Sequence, residues 1–173
     1  MSERGFKEVI EEKKKAIARK PEFGRGTATT RVTVRGGATC DIEDGEWKLI
    51  ADEGRGDGGD GLGPDPGVYG RAALGSCLAI GYVMWARYMD VPIDSISVDV
   101  EADYDASGLF GIDDSIPPGW SAMRYSVEIS SPAPEAKVRE LVDYADRHSS
   151  VLDAFQRAIP VAGAVKITQP VTR

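Results

Sequence analysis

Apolar and polar positions alternate with different periods along the chain, and the periods divide it into elements. Residues 66–90, PGVYGRAALGSCLAIGYVMWARYMD, are the longest apolar run. No proline interrupts it after Pro66 and β-branched residues are few, so a helix is predicted. Ala73, Cys77, Ile80, Met84 and Tyr88 recur at helical spacing and are expected to share one face. The opposite side is also largely apolar as far as Arg87, which predicts a helix buried against a partner chain as well as its own. Arg71 and the glycines and tyrosines make the run a poor membrane span, and no membrane association is expected.

Before this run, Gly5 to Lys20 reads as a helix whose acids come early and bases late, as the helix dipole favours, and Pro21 stops it. From Thr27 to Arg35 the period becomes two, with Ala28, Thr30, Val32 and Val34 on one face. A Gly36-Gly37 turn, a strand over Thr39–Asp44, an Asp44-Gly45 hairpin signal and a strand over Glu46–Ala51 complete an antiparallel meander. Residues 51–67, rich in Gly, Asp and Pro, fit neither a calcium loop nor a phosphate cradle and are read as a surface loop shaping the entrance to the central helix.

After the central helix, strands are predicted over Ile93–Tyr104 and Ser121–Ser131, separated by a loop over Asp105–Gly119. A second helix begins at Pro134 with Val138, Leu141, Val142 and Ala145 as its apolar stripe. A short helix over Val151–Ala158, capped by Ser149 or Ser150, and a closing strand over Gly163–Thr168 end the chain. This order defines an α+β fold without repeats, divided into an N-terminal helix over residues 1–21 and a single domain over 22–173.

Composition narrows the function classes. The 173 residues suffice for one core, and a net charge of -7 without a basic stripe argues against nucleic-acid binding. Two cysteines make no disulfide scaffold, and no apolar leader opens the chain, so a reducing cytoplasm is the expected compartment. His148 stands alone and no cysteine cluster accompanies it, so neither a zinc site nor a cofactor is expected. Cys77 is either a packing side chain or a redox thiol. It lies some ten residues into its helix, too deep for that helix's own dipole, so a reactive thiolate there is expected to need a cation from elsewhere. Cys40, on an edge-like strand, is read as incidental.

The stretch LIADEGRGDGGDGLGPDPGVYGRAALGSCLAIGYV, with its Gly-Gly and Gly-Pro loop and its Ala73-Leu74-x-x-Cys77 core, resembles the middle of the OsmC/Ohr family of osmotically induced and organic hydroperoxide resistance proteins. The order of elements fits that family from about Thr27 onward. The resemblance implies an intertwined homodimer in which antiparallel strands from both chains wrap two long central helices. It also implies hydroperoxide reduction by two cysteines, the first activated by an arginine and a glutamate. Carried over, Cys77 matches the first cysteine, while the glutamate falls at Gly67 or Val68, the second cysteine at Ser149 and the arginine at Ala38. Arg35 and Arg71 are the candidate substitutes for that arginine. Two readings follow. In one, Cys77 alone reduces a hydroperoxide and an external thiol resolves the product, with Tyr82, Met84 and Trp85 shaping an organic-substrate pocket. In the other, the homodimer keeps the fold without the chemistry and binds an apolar ligand or serves a structural role.

Overall fold

The computed structural model describes residues 5–169; the outermost ends of the two expected segments, residues 1–4 and 170–173, lie outside the described residues. The helix α1 (Phe6–Arg19) is followed by the strands β1 (Arg31–Gly36), β2 (Thr39–Asp44) and β3 (Trp47–Ala51), then by α2 (Pro66–Tyr88). The strand β4 (Ser95–Tyr104), a single turn α3 (Ala106–Leu109), β5 (Trp120–Ser130), α4 (Glu135–Arg147) and α5 (Ser150–Gln156) complete the order.

The central helix starts where its chemistry dictates. The Asp65 carboxylate accepts the Val68 N–H at 3.0 Å, and Pro66 occupies the first turn, where a missing N–H costs nothing. It ends at Tyr88, before Asp90 turns the chain at a φ of 56°. The face that α2 buries against its own chain is Leu74, Leu78, Tyr82 and Trp85, not the stripe expected through Ala73 and Ile80. Ala73 and Ile80 are exposed, Ile80 by 64%. A helix that is apolar on every side carries no periodic signal saying which side meets its own sheet.

The β4–β5 ribbon and α4 cover the buried face. Pairs such as Val98 with Val127 and Val100 with Tyr125 lie opposite each other, and alternate residues of both strands turn toward α2. Leu141 and Ala145 of α4 and Leu152 of α5 join the same core. The helix α1 docks on the far end of α2: the Tyr88 hydroxyl donates to Glu11 at 2.5 Å, and the Lys14 ammonium lies 4.0 Å over the Tyr88 ring.

The meander forms a separate three-stranded sheet in the order β1-β2-β3, which makes β2, and Cys40 with it, central and not an edge. Register places Val32, Ile42 and Leu49 in one row and Val34, Cys40 and Ala51 in the next, all on one face. Among the described residues no element covers β1 on that face, and Val34 is 65% exposed.

The loop into α2 is tied down by Asp52. Its buried carboxylate accepts the Leu62 N–H at 3.1 Å, the Thr39 hydroxyl at 3.0 Å and the Glu53 N–H at 2.8 Å. These donors, the Leu62 amide foremost, hold its pKa below the ordinary carboxylate value although burial opposes them. Gly59 is required here, since a Cβ would stand 2.1 Å from the Glu53 carbonyl oxygen.

Three further expectations are corrected. Regular pairing of the first strand begins at Arg31, not Thr27, and the 105–119 loop contains the turn α3. The closing strand over Gly163–Thr168 does not form: the segment has no regular structure, and Val165 and Ile167 are 90% and 86% exposed. A strand exists only against a neighbour that takes up its amide and carbonyl groups, and among the described residues no strand lies beside this segment.

Candidate functional site

Cys77 lies at the margin of the buried face of α2, half-buried, and points to the start of α5. The sulfur is 3.4 Å from Ser149 Oγ and 3.9 Å from Ser150 Oγ. Ser149 is the N-cap of α5: its Oγ accepts the Leu152 N–H at 3.4 Å, which leaves its own proton free to point at the sulfur. Burial works to raise the thiol pKa. The Ser149 hydroxyl, the Val151 N–H, the Ser150 hydroxyl and the Ser150 N–H outweigh burial in that order, and the thiol sits below its ordinary value. The favourable hydrogen bonds come from the start of a different helix, not from the cation that the sequence suggested.

Neither candidate arginine is brought to the sulfur by a hydrogen bond or ion pair among the described residues. Arg35 lies on the face of β1 opposite Val34 and pairs with Asp41 across the β1–β2 ladder. Arg71 precedes Cys77 by six residues, which sets it on another side of the helix, and its guanidinium turns back toward Gly67. A Cβ at Gly67 would stand 3.3 Å from Arg71 Nη1. Gly67 and Val68, at the position that the resemblance gives to the family's glutamate, carry no charge.

The residues expected to shape an apolar pocket divide differently. Tyr82 is 0% exposed and Trp85 is buried, both within the core, while Met84 packs against that core. An open cavity of about 620 Å³ lies instead along the neighbouring side of α2, lined by Leu74, Trp120, Met123, Tyr125, Leu152 and Phe155. Leu74 is three residues before Cys77, and Leu152 belongs to the helix whose start meets the sulfur. Gly70 lets Trp120 approach the helix closely, since a Cβ there would stand 2.4 Å from the indole. The signals for Ser149 and Ser150 were in the chain as helix caps, and the meeting of Ser149 with Cys77 was implied only by the resemblance, which sets the family's second cysteine at that position.

The site is thus a half-buried thiol facing the start of α5, with an apolar cavity nearby, in an α+β fold built on one long helix. The family profile described as "OsmC-like protein" matches residues 58–162, and the chain belongs to the OsmC-like family. The fold is similar to that of an OsmC-like protein from Mycoplasma pneumoniae, with a TM-score of 0.64 and 14% identity over 76% of this chain and 88% of that one. It is also similar to an organic hydroperoxide resistance protein from Legionella pneumophila, with a TM-score of 0.56 and 17% identity over 76% and 90%. An OsmC-like hydroperoxide resistance protein from Jannaschia gives 0.51 and 17% over 80% and 90%. No curated protein matches the chain. No helix among the described residues is long and apolar enough to cross a membrane.

Proposed function

We propose that the protein reduces organic hydroperoxides through Cys77 alone, as a cytoplasmic homodimer, with an external thiol as reductant. The observation that carries this reading is the apposition of Cys77 to the start of α5, where two hydroxyls and two backbone N–H groups face the sulfur. The thiolate attacks the peroxide oxygen, forming an S–O bond as the O–O bond breaks and the alcohol leaves with a proton. The resulting sulfenic acid is attacked by an external thiol, water leaves, and a second thiol displaces the mixed disulfide to restore Cys77. External resolution follows from the residues: Ser149 stands where the family's second cysteine is expected, and Cys40 lies in the separate β1-β2-β3 sheet.

The dimer is supported by three apolar surfaces that a single chain leaves open. These are the side of α2 through Ala73, Ile80 and Val83, the β1 side of the meander face, and the Val165 and Ile167 segment. The pairing of Arg35 with Asp41 favours the alternative, a dimer that binds an apolar ligand and uses Cys77 only for packing. Mass spectrometry of the folded protein after a slight excess of an organic hydroperoxide, with a sulfenic-acid trap present, decides between them. Rapid trapping at Cys77 with Cys40 unmodified is expected; an unmodified Cys77 in folded protein would refute the enzyme reading.

A further inference from the structure

The carboxylate of Asp146 is held from two sides in the layer behind Cys77. The Tyr82 hydroxyl donates to Oδ1 at 2.7 Å and the Tyr125 hydroxyl donates to Oδ2 at 2.8 Å. Tyr82 belongs to α2, five residues after Cys77; Tyr125 belongs to β5; and Asp146 sits in the last turn of α4, three residues before Ser149. The backbone of the same aspartate faces the other way, its carbonyl accepting the Ser149 N–H at 3.2 Å. One residue therefore joins the helix that carries the thiol to the turn that carries its hydrogen-bond donors. Both tyrosines are kept protonated by burial first and by Asp146 second, Tyr125 being pushed up to about 12.

We propose that Asp146, gripped by Tyr82 and Tyr125, is a positioning residue that holds the α4–α5 turn against α2 and so keeps Ser149 and Ser150 on the Cys77 sulfur. The helix α5 has only 7 residues and cannot fix its own first turn. A hydroxyl 3.4 Å from sulfur loses its hydrogen bond if the turn drifts by about an ångström. Charged neighbours of the turn are engaged elsewhere. Arg147 lies over the Tyr144 ring, His148 stacks on that ring with its Nδ1 2.7 Å from the Tyr144 carbonyl, and Asp153 pairs with Arg157. Arg71, on α2, turns toward Gly67.

This inference deepens the single-thiol reading, but its test requires only a thiolate and no turnover. The alkylation rate of Cys77 by iodoacetamide is followed against pH on the full chain, peptide by peptide, for the native protein and for Asp146→Asn, Tyr125→Phe and Leu141→Ala. Asp146→Asn and Tyr125→Phe are expected to move the midpoint to higher pH, and a rise of one unit slows labelling at neutral pH about tenfold. Leu141→Ala hollows the core more than a turn earlier in the same helix and is expected to leave the midpoint in place. Unmoved midpoints in the first two variants, or an equal shift in Leu141→Ala, would overturn the proposal. Should Asp146→Asn fail to fold, Tyr125→Phe decides alone, since it keeps the ring and removes only the hydroxyl. A native protein that alkylates normally yet ignores hydroperoxides would defeat the enzyme reading without touching this one.

Discussion

Replacing Ser149 by cysteine tests the site most directly, because it places a second thiol where a hydroxyl now stands 3.4 Å from the Cys77 sulfur. A disulfide needs the two sulfurs at about 2.05 Å, so the pair must close by roughly 1.3 Å. The longer carbon–sulfur bond of the new side chain covers part of that distance, and small rotations of the two side chains toward each other must supply the rest. The bond would close a loop between positions 72 apart in sequence. By the chain-entropy estimate, such a loop stabilises by about 4 kcal/mol relative to the reduced variant. Against this stands the N-cap: Ser149 Oγ accepts the Leu152 N–H, and its loss costs about 1 kcal/mol in both redox forms.

The Ser149→Cys variant is therefore expected to melt slightly below the native protein when reduced and roughly 10 °C above its own reduced form when oxidised. Intact mass before and after diamide, an oxidant that needs no peroxidase chemistry, would show the loss of two hydrogens, reversed by dithiothreitol. Peptide mapping would join position 149 to Cys77. A new thiol that stays free to alkylate after diamide, with no change in melting, would refute the apposition of α5 and Cys77 on which the site rests. Repeating the oxidation with an organic hydroperoxide then separates geometry from chemistry: a disulfide formed by diamide but not by the peroxide would mean that the thiols meet and that Cys77 lacks peroxidase reactivity.

Other expectations can be checked independently. Ile80→Asp changes a side chain that is 64% exposed in the single chain, so it should leave a monomer's stability nearly unchanged but dissociate a dimer sealed along α2. Sedimentation showing the same mass for both proteins would refute that seam. Gly59→Ala drives a Cβ against the Glu53 carbonyl, and denaturant titration should show a loss of about 1–3 kcal/mol; an unchanged midpoint would contradict the docked loop. The raised Tyr82 and Tyr125 pKa values mean that the unfolded chain releases those protons first as pH rises. Their contribution is complete below about pH 10, where unfolded tyrosine remains protonated, and for Tyr125 is lost as pH rises through about 12. Stability should fall over that alkaline range, and Tyr125→Phe should flatten the slope.

The fold was legible wherever sequence and local geometry speak to the same residues. The central helix announced itself by the absence of proline and β-branched residues after Pro66, and the meander by its period of two between the Gly36-Gly37 and Asp44-Gly45 turns. Legibility ended where an element depends on what lies beside it. Val165 and Ile167 carry a strand's pattern, but the pattern is only half of a strand; the other half is a neighbour, which the single chain does not supply. The buried face of α2 differs from the expected stripe for the same reason, since a helix apolar on every side is oriented by its surroundings.

The site follows the same division, and it bears on whether the missing charges matter. The sequence raises the expectation of an arginine near Cys77, because a cation is the form of thiolate stabilisation that a single residue type can signal. The structure supplies hydroxyls and amide N–H groups at a helix start, and these leave no such signal because the amides belong to every residue. Arg35 pairs with Asp41 and Arg71 turns toward Gly67, yet the thiol still sits below its ordinary value. Neutral donors of this kind have a consequence that a cation would not share. Their pull on the sulfur depends on contact within hydrogen-bond range, so it is nearly indifferent to salt, which screens exposed charges over about 10 Å at 0.1 M, and acutely sensitive to any movement of the α4–α5 turn. Reactivity of Cys77 should therefore survive high ionic strength and fail when Ser149 is displaced. A thiol that lost its reactivity in salt would instead point to a charge brought in by a second chain.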